Sequence, residues 1–503
     1  MKNDFLEELR WRGLIHDLTP GLEEHLKTGP IRGYIGFDPT AASLTIGNYV
    51  QIMLLTFLQR AGHQPVVLMG GATGRIGDPS GKDKERDLKS FDELDRNTAR
   101  QVEQARRLLD FSPASPNPAI LVNNYDFYRD MNVLDFLREV GKYLTVNYML
   151  SKESVQRRLE TGISFTEFSY QLLQGYDFVL LHRQHGITLQ MGGSDQFGNI
   201  TAGVELARKI DDAKVHAVTT PLLTKSDGTK FGKSEAGNIW LDATMTSPYK
   251  FYQFWLNADD RDLPKFLRYF SLKNRAEIEA LEANETPQTA KRVFAEEITV
   301  RVHGQEAFRE VLSMSEVLFD PKASAETLGS LNLGILQQMA EIIPSPVVDA
   351  PTLQNGVALL DFLSEHTGIL DSRTEAKKAV QNNAISINKK KISDLNTTLS
   401  SADLLHGQYL MVDNGKKNKY LVEANDWDVE GLTMEFLKDY QEPISPLRLH
   451  HEAQKGGYEK LSRYALNKIR LTLKKLLDKG KVETSLSKEK NPLYKIRNSN
   501  GSE

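Results

Sequence analysis

The sequence predicts a doubly wound α/β fold built on a parallel sheet. From about residue 30 to residue 240, strand-like and helix-like segments alternate along the chain. Pro65–Met69 is a short apolar run typical of a buried strand, and Ile46 to Gln59 has the apolar periodicity of a helix. In parallel sheets, ligands bind beyond the carboxyl ends of the strands. The polar loops here follow the strands, so a binding site is expected at that edge.

The remaining sequence predicts further domains. Prolines between residues 344 and 351 are typical of a linker. Near the end, three helical patterns and a hairpin pattern resemble a winged helix. The predicted parts are a catalytic domain at 1–246 with a helical insertion at about 125–185, a helical domain at 247–320, a linker at 321–351, an α+β module at 352–425 and a basic extension at 427–503.

The composition excludes several classes of protein. With 40% hydrophobic and 26% charged residues, the 503-residue chain has the make-up of a soluble globular protein. The net charge of -4 means that any RNA site must be a local basic patch. The absence of cysteine excludes disulfides, a thiol nucleophile and cysteine-bound zinc. No apolar run reaches about 18 residues, and the charged N-terminus is unlike a signal peptide, so we expect a cytoplasmic protein without a membrane span.

The first candidate nucleotide motif is the segment 36–48, GFDPTAASLTIGN. It predicts a strand end, a turn and a helix that begins near Ile46. Free N–H groups and the positive dipole end of a helix N-terminus suit a phosphate. Gly36 and Gly47 would let a base or phosphate approach the backbone. An ordinary strand–turn–helix with glycines for packing is the alternative.

Two lysine-rich segments are the next candidates. Residues 225–234, KSDGTKFGKS, place three lysines in a polar loop, where they suit a polyphosphate as point charges. The segment 74–86, GRIGDPSGKDKER, is not a Walker A loop, because Ile76 stands where that motif needs glycine. Taken alone, the segment 225–234 is better explained as a solvated charged loop.

Together, these segments resemble class I aminoacyl-tRNA synthetases. Residues 45–48 take the place of the HIGH signature, and residues 230–234 that of KMSKS. The segments YIGFDPTAASL, GGATGRIGDPSG, SYQLLQGYD, LQMGGSDQFGNI and SPYKFYQFWLN are similar, in order, to bacterial tyrosyl enzymes of that class. The resemblance covers roughly residues 1–425. It implies a Rossmann-like catalytic domain that uses ATP with Mg²⁺, and no zinc, to join L-tyrosine to tRNA(Tyr), releasing AMP and pyrophosphate.

The resemblance also implies roles for individual residues. Tyrosine is expected at Tyr34, Asp78, Tyr170, Gln174, Asp177, Gln190 and Gln196, with Tyr34 and Asp177 on the phenol. ATP is expected at Asp38, Gly47, Asn48, Asp195, Lys230, Lys233 and Ser234. Catalytic charge neutralisation is expected from Thr40, Thr45, Lys82, Arg86, Lys230 and Lys233. By spacing alone, residues 170, 174 and 177 show only that they share one face of a helix.

The sequence departs from the family pattern at the HIGH position. Thr45 replaces the first histidine, and Asn48 replaces the last. A threonine hydroxyl is shorter than an imidazole, so contact with the γ-phosphate is one of two interpretations. The other is that Thr45 caps the helix that begins at Ile46. Both stay open on sequence alone.

Residues 352–425 resemble an S4-type RNA-binding domain. Basic residues on one helix and on the following strand and turn predict a face for RNA phosphates. These residues are Arg373, Lys377, Lys378, Lys389 and Lys390. A small solvated α+β domain is the alternative. The basic extension suits nucleic acid, although many winged helices contact proteins instead.

The resemblance at residues 125–185 implies a homodimer. Apolar positions in this insertion, such as Leu134, Phe136 and Leu137, are candidates for the interface or for the core. Two rival functions remain. Another class I-like nucleotidyl transferase would not explain the tyrosine pocket together with an S4-like domain. A non-catalytic RNA-binding relative would be expected to have lost the site residues, which are present.

Overall fold

The computed structural model describes residues 4–80, 88–159, 162–229, 231–234, 237–320, 322–440, 442–455, 458–486 and 492–496. The chain divides into two compact units, Met1–Phe308 and Arg309–Glu503. Within the described ranges, no helix has both the length and the apolar character needed to cross a membrane.

The first unit is built on a six-stranded sheet. Its strands are β1 (Asp17–Leu18), β2 (Arg32–Phe37), β3 (Gln64–Met69), β4 (Ile120–Asn123), β5 (Leu189–Gly193) and β6 (His216–Thr220). They lie in the order β1-β6-β5-β2-β3-β4, and all neighbours except β1 and β6 are parallel. Every residue of β3 after Gln64 is buried, as expected for a strand covered on both faces. The predicted doubly wound parallel sheet is confirmed.

The strand order reverses at β2, which has β3 on one side and β5 on the other. In open α/β sheets, a crevice forms at the carboxyl ends of the strands beside such a reversal. The register of β2 with β5 makes Tyr34 the partner of Gln190. The topology therefore brings together two residues that are 156 positions apart in sequence, on either side of the crevice.

The helices from the start of the chain to Phe319 are α1 (Phe5–Arg12), α2 (Leu22–Lys27), α3 (Ile46–Arg60), α4 (Phe91–Leu108), α5 (Tyr125–Tyr128), α6 (Val133–Glu139), α7 (Val146–Leu150), α8 (Glu153–Leu159), α9 (Phe165–His185), α10 (Phe197–Asp211), α11 (Pro248–Leu256), α12 (Leu263–Phe270), α13 (Arg275–Asn284) and α14 (Pro287–Phe319). Helix α14 continues past Phe308, where the first unit ends. Helix α9 approaches α10 closely at Gly175 and Gly203. A Cβ at Gly175 would lie 2.8 Å from Leu206 Cδ1, and one at Gly203 would lie 3.2 Å from Phe178. This close packing fixes the part of α9 that carries Asp177.

The segment of chain between β4 and β5 forms helices α5 to α9. Phe136 packs against this region's core, with its ring centroid 6.2 Å from that of Tyr128 and 6.1 Å from that of Tyr176. Leu134 and Leu137 are instead 71% and 47% exposed. Of the three apolar candidates for an interface, Phe136 therefore packs against the core while partly buried, and the other two lie on the surface.

A short hairpin and an aromatic cluster follow the sheet. The hairpin consists of β7 (Lys233–Ser234) and β8 (Gly237–Asn238). Just before it, the ring of Phe231 packs against Phe254, Trp255, Phe266 and Phe270 of α11 and α12, with centroids 5.1 to 5.9 Å apart. The helical segment thus holds the chain where it enters the hairpin.

The described part of the second unit contains a five-stranded sheet, a two-stranded sheet and a separate hairpin. Its strands are β9 (Val347–Asp349), β10 (Val357–Ala358), β11 (Ile385–Ile387), β12 (Lys390–Lys391), β13 (Thr398–Leu399), β14 (Tyr409–Asn414), β15 (Asn418–Asn425), β16 (Val482–Leu486) and β17 (Pro492–Ile496). Its helices are α15 (Ala325–Gly329), α16 (Leu333–Ala340), α17 (Ala350–Gln354), α18 (Leu359–Asp361), α19 (Arg373–Gln381), α20 (Val429–Tyr440), α21 (Pro446–Lys455), α22 (Glu459–Ser462) and α23 (Leu466–Asp478). The order of the five-stranded sheet is β12-β11-β14-β15-β9, while β10 pairs with β13, and β16 forms the hairpin with β17.

The structure corrects the predicted linker at 321–351. This stretch contains α15 and α16 and ends in β9, which pairs in parallel with β15. Val347 and Val348 are buried in two different cores of the second unit. The prolines before β9 therefore mark the entry to a strand rather than a flexible connection.

The extension after Asp426 shares a core with this sheet. Val347 of β9 is buried in the same cluster as Phe436, Leu449 and Leu473 of the extension. The backbone of Tyr464 forms a parallel bridge with Val347, and this contact lies between α22 and α23. The extension therefore covers the outer edge of β9, which protects an otherwise open strand.

Candidate active site

A cleft of about 550 Å³ opens at the carboxyl ends of β2, β5 and β6. Its walls are the end of β2, the start of α3, one face of α9 and the loops after β3, β5 and β6. The described residues from the predicted tyrosine, ATP and catalytic sets that line it are Tyr34, Asp38, Thr40, Gly47, Asn48, Asp78, Tyr170, Gln174, Asp177, Gln190, Asp195 and Gln196. The fold thus brings together residues spread over more than 160 positions of sequence.

Asp177 and Tyr34 form the deepest part of the cleft. The Asp177 carboxylate is 1% exposed and accepts hydrogen bonds from the Tyr128 hydroxyl at 2.7 Å and from Asn124 Nδ2 at 2.9 Å. Burial raises the pKa of Asp177 to about 7. Burial, and then the charge of Asp177, raise the pKa of Tyr34 well above its usual value. The Tyr34 hydroxyl is buried and has no hydrogen-bond partner among the described residues, so it remains able to bind a ligand.

A second set of polar side chains surrounds the middle of the cleft. The Tyr170 hydroxyl donates to Asp38 Oδ2 at 2.9 Å. Gln196 Nε2 donates to Asp78 Oδ2 at 2.7 Å, and Asn199 Nδ2 lies 3.4 Å from Asp78 Oδ1. These bonds hold both carboxylates towards the same space, where a cation would be favoured.

The charge of the described lining is negative. Its acidic residues are Asp38, Asp78, Asp177 and Asp195. Burial, and next the charge of Asp78, raise the pKa of Asp195. The Oε1 atoms of Gln174 and Gln190 are buried, and neither has a partner within the described part of the chain. Carboxylates and free amide oxygens suit an ammonium group, because it offers donors only.

The entrance near α3 differs from this negative interior. Gly36, Thr40 and Gly47 line it without large side chains, next to the N-terminus of α3. A Cβ added at Gly36 would have only Leu68 Cδ2 within 4 Å, at 4.0 Å, so the backbone is open to the cleft. Backbone N–H groups at a helix start can bind an anion such as a phosphate.

Thr45 caps α3. Its hydroxyl oxygen accepts the N–H of Asn48 at 3.3 Å, and Asn48 Oδ1 accepts the N–H of Thr45 at 3.0 Å. The hydroxyl of Thr45 also donates to Asn48 Oδ1 at 2.8 Å. This reciprocal capping box supports the structural interpretation of Thr45, because the side chain is directed back onto its own helix.

Some predicted residues cannot be located in the site. Lys82, Arg86 and Lys230 lie outside the described residues, and so do the side chains of Lys233 and Ser234. Their assignment to ATP binding or to catalytic charge neutralisation rests on sequence alone and stays a prediction.

The structure adds three residues that sequence reasoning missed. Asn124 and Tyr128 hold Asp177, and Asn124 Nδ2 also lies 3.1 Å from Thr73 Oγ1. The Thr73 hydroxyl in turn donates to Asp38 Oδ1 at 2.7 Å. One hydrogen-bond network therefore links the two ends of the acidic pocket. Asn124 and Tyr128 lie directly after β4, and Thr73 lies in the loop after β3. The rule that ligands bind beyond the carboxyl ends of parallel strands could have singled out both segments.

The basic face of the second unit differs from the prediction at one residue. Arg373, Lys377 and Lys378 of α19 and Lys390 of β12 are exposed. The side chain of Lys389 is only 5% exposed, and its ammonium lies 3.3 Å from Asp413 Oδ1. Burial lowers the pKa of Lys389 to about 8. The prediction that Lys389 presents its charge to RNA is therefore not supported.

Comparisons with known families agree with this arrangement. The profile described as "tRNA synthetases class I (W and Y)" matches residues 26–320. The profile described as "Tyrosine--tRNA ligase SYY-like C-terminal domain" matches residues 336–422. The first match contains strands β2 to β6 and the cleft, and the second contains the five-stranded sheet except for the last residues of β15. The extension lies beyond both.

Individual relatives narrow the family. The chain is 50% identical to a tyrosine–tRNA ligase of Cytophaga hutchinsonii, over 84% of this chain and 100% of the relative. It is 48% identical to one from Porphyromonas gingivalis, over 83% of this chain and 99% of that one. A truncated mitochondrial tyrosyl-tRNA synthetase of Aspergillus nidulans is 30% identical, with a TM-score of 0.57, over 63% of this chain and 94% of that structure. The chain therefore belongs to the class I aminoacyl-tRNA synthetases of the tryptophan and tyrosine group, among the tyrosine–tRNA ligases.

Proposed function

We propose that this enzyme activates L-tyrosine with ATP and transfers it to tRNA(Tyr). The observation that carries the choice of tyrosine is the pair Tyr34 and Asp177 at the closed end of the cleft. A free buried hydroxyl beside a buried carboxylate suits a phenol, which can donate one hydrogen bond and accept another. Phenylalanine would leave the Tyr34 hydroxyl without a partner and would donate no hydrogen bond to Asp177. A site built to hydrogen-bond a hydroxyl rejects an analogue that lacks it, and tyrosyl-tRNA synthetases are themselves the general example of this behaviour.

The amino-acid ammonium is proposed to lie among Asp78, Tyr170 and Gln174. Asp78 supplies charge, and the Gln174 Oε1 atom supplies an acceptor that has no other partner among the described residues. Asp78 is held in place by Gln196 and Asn199. Binding both ends of tyrosine leaves its carboxylate directed to the wider part of the cleft, near α3.

The first reaction needs no general base. The tyrosine carboxylate attacks the α-phosphorus of ATP, the bond to the β-phosphate oxygen breaks, and pyrophosphate leaves. The electron pair moves onto pyrophosphate, so catalysis depends on positioning and on neutralising charge. We assign ATP, entering as its Mg²⁺ complex, to Asp38, Gly47, Asn48 and Asp195. The neutralisation of charge is assigned to Thr40, Lys82, Arg86, Lys230 and Lys233.

The second reaction transfers tyrosine to RNA. A terminal ribose hydroxyl of tRNA attacks the tyrosyl carbonyl, and AMP leaves. We propose that the exposed cations Arg373, Lys377, Lys378 and Lys390 bind tRNA phosphates, because they are accessible and of the required sign. We further propose a cytoplasmic location.

We also propose a homodimer formed through α5 to α9. Seven large apolar side chains of the described residues there are exposed: Tyr125, Val133, Leu134, Leu137, Val146, Leu159 and Phe165. Exposed apolar groups of this size, concentrated in one region of a chain, are typical of an interface.

Pyrophosphate exchange into ATP tests the proposal. The purified chain should catalyse exchange that depends on tyrosine, and equal concentrations of phenylalanine or tryptophan should give little. Comparable rates with phenylalanine would contradict the roles of Tyr34 and Asp177. Comparable rates with tryptophan would indicate a tryptophan enzyme, the other kind in this class I group.

A further inference from the structure

The loop that carries the signature lysines begins with a closed turn. Lys225 N–H donates to the carbonyl of Thr229 at 3.0 Å, and Gly228 N–H donates to the carbonyl of Lys225 at 2.9 Å. Asp227 Oδ1 accepts from both the N–H and the hydroxyl of Thr229, at 2.8 and 2.6 Å. Residues 225–229 therefore form a compact turn that can be held as one body.

Helix α12 holds this turn from outside the substrate cleft. The Asp262 carboxylate accepts the N–H of Ser226 at 2.8 Å, and the Lys265 ammonium donates to the carbonyl of Thr224 at 3.2 Å. Asp262 is only 5% exposed. A hydrogen bond between a buried carboxylate and a backbone N–H is among the stronger kinds in proteins. Two charged side chains, one turn apart at the start of α12, thus bind two backbone groups of the same segment.

The chain is held again at Phe231. This residue is 8% exposed and packs in the aromatic cluster of α11 and α12. The next residue, Gly232, has a φ of 88°, and a Cβ there would lie 3.6 Å from the backbone nitrogen of Gly47. The anchored chain therefore passes directly beside the start of α3, at the entrance proposed for ATP.

We infer that Asp262 and Lys265 are positioning residues for the activation step. This inference rests on the proposed function. Among the described residues, neither lines the cleft, so neither contacts tyrosine there. Their bonds fix the turn that leads into the lysine-bearing segment, whose charges are needed when pyrophosphate departs. Loss of an anchor should lower the stabilisation of the transition state and leave tyrosine binding intact.

Steady-state exchange with the full-length chain tests this inference. Asp262→Ala should lower kcat for tyrosine-dependent exchange about ten- to hundredfold, as for a hydrogen bond to a charged group, with the KM for tyrosine unchanged. Asp262→Asn retains an amide oxygen that can accept the Ser226 N–H, so it should recover most of the rate. Lys265→Met keeps the aliphatic stem and removes the other bond, and should lower kcat about two- to tenfold.

Asp259→Ala is the matched control. Asp259 and Asp262 both line a small surface cavity between the turn 225–229 and the start of α12. Asp259, however, pairs with Arg261, and its side chain is 41% exposed. Its loss should leave kcat unchanged. Wild-type kcat in both Asp262→Ala and Lys265→Met would overturn the inference, and so would a kcat loss matched by an equal rise in the KM for tyrosine. If Asp262→Ala does not fold, Lys265→Met alone decides between these outcomes. A wild-type chain without tyrosine-dependent exchange would instead contradict the proposed function.

Discussion

Replacing Tyr34 by phenylalanine should stabilise the free enzyme. Tyr34 is 1% exposed, and its hydroxyl has no hydrogen-bond partner among the described residues. A buried polar group without a partner costs about 1–3 kcal/mol. Tyr34→Phe removes this group and keeps the ring, which packs edge-on against Phe178 at 5.2 Å. We therefore expect the free energy of unfolding to rise by about 1–3 kcal/mol.

The same change should weaken the use of tyrosine. It removes one hydrogen bond to the substrate phenol, for which a net value of about 0.5–1.5 kcal/mol is typical. The kcat/KM for tyrosine should fall about two- to twelvefold. The kcat/KM for phenylalanine should not fall, because that substrate makes no such bond. The discrimination between the two substrates then decreases by the same factor.

Urea unfolding without ligands and pyrophosphate exchange with both amino acids measure the two effects. Tyr49→Phe is the matched control, because the Tyr49 hydroxyl is also buried without a partner among the described residues, yet Tyr49 is not among the residues that line the cleft. It should gain stability without a change in discrimination. A Tyr34→Phe protein that is less stable than wild type, or one with unchanged discrimination, would refute this account.

Four further changes give distinct outcomes. Thr45→Ala should lower the free energy of unfolding by about 0.5–2 kcal/mol, measured in urea, with little change in kcat per folded molecule. The pKa of Asp177 is about 7 when folded and 3.8 in its ordinary state, so the native chain retains a proton that the unfolded chain loses between these pH values. Stability should therefore fall as pH rises from about 4 to 7, and Asp177→Asn should flatten that fall in urea titrations. Leu134→Glu should convert a dimer to a monomer in light scattering at micromolar concentration, and an unchanged mass would contradict the interface. Ending the chain at Asp426 should lower the melting temperature by exposing Val347, and should make the salt dependence of tRNA binding shallower if the extension contacts phosphates.

The sheet and the pocket could be predicted from the sequence for different reasons. The strand Pro65–Met69 was predictable because a buried parallel strand is apolar along its whole length. The roles of Tyr34, Asp177 and Gln190 came from resemblance, since local patterns do not tell which strand pairs with which. The register of β2 with β5 supplies the missing information by placing Tyr34 opposite Gln190.

The errors share one cause, which is that tertiary contacts decide what local patterns leave open. The prolines before Val347 are typical of a linker, but Val347 and Val348 are each buried in a different hydrophobic core of the second unit. The sequence pattern predicted that Lys389 contacts RNA, but its ammonium forms an ion pair with Asp413 on β14. Several cations of the extension are likewise paired, such as Lys468 with Asp349 and Lys475 with Glu430. Fewer of them remain for RNA than their number in the sequence suggests.

Charging of tRNA(Tyr) with labelled tyrosine tests the central claim most directly. The full-length chain, tRNA(Tyr), ATP and Mg²⁺ should give tyrosyl-tRNA that approaches one tyrosine per tRNA, with AMP and pyrophosphate released. Labelled phenylalanine and tryptophan under the same conditions should give no comparable plateau. Failure to charge with tyrosine, or equal charging with either of the other two, would contradict the claim that this cleft is a tyrosine-activating site.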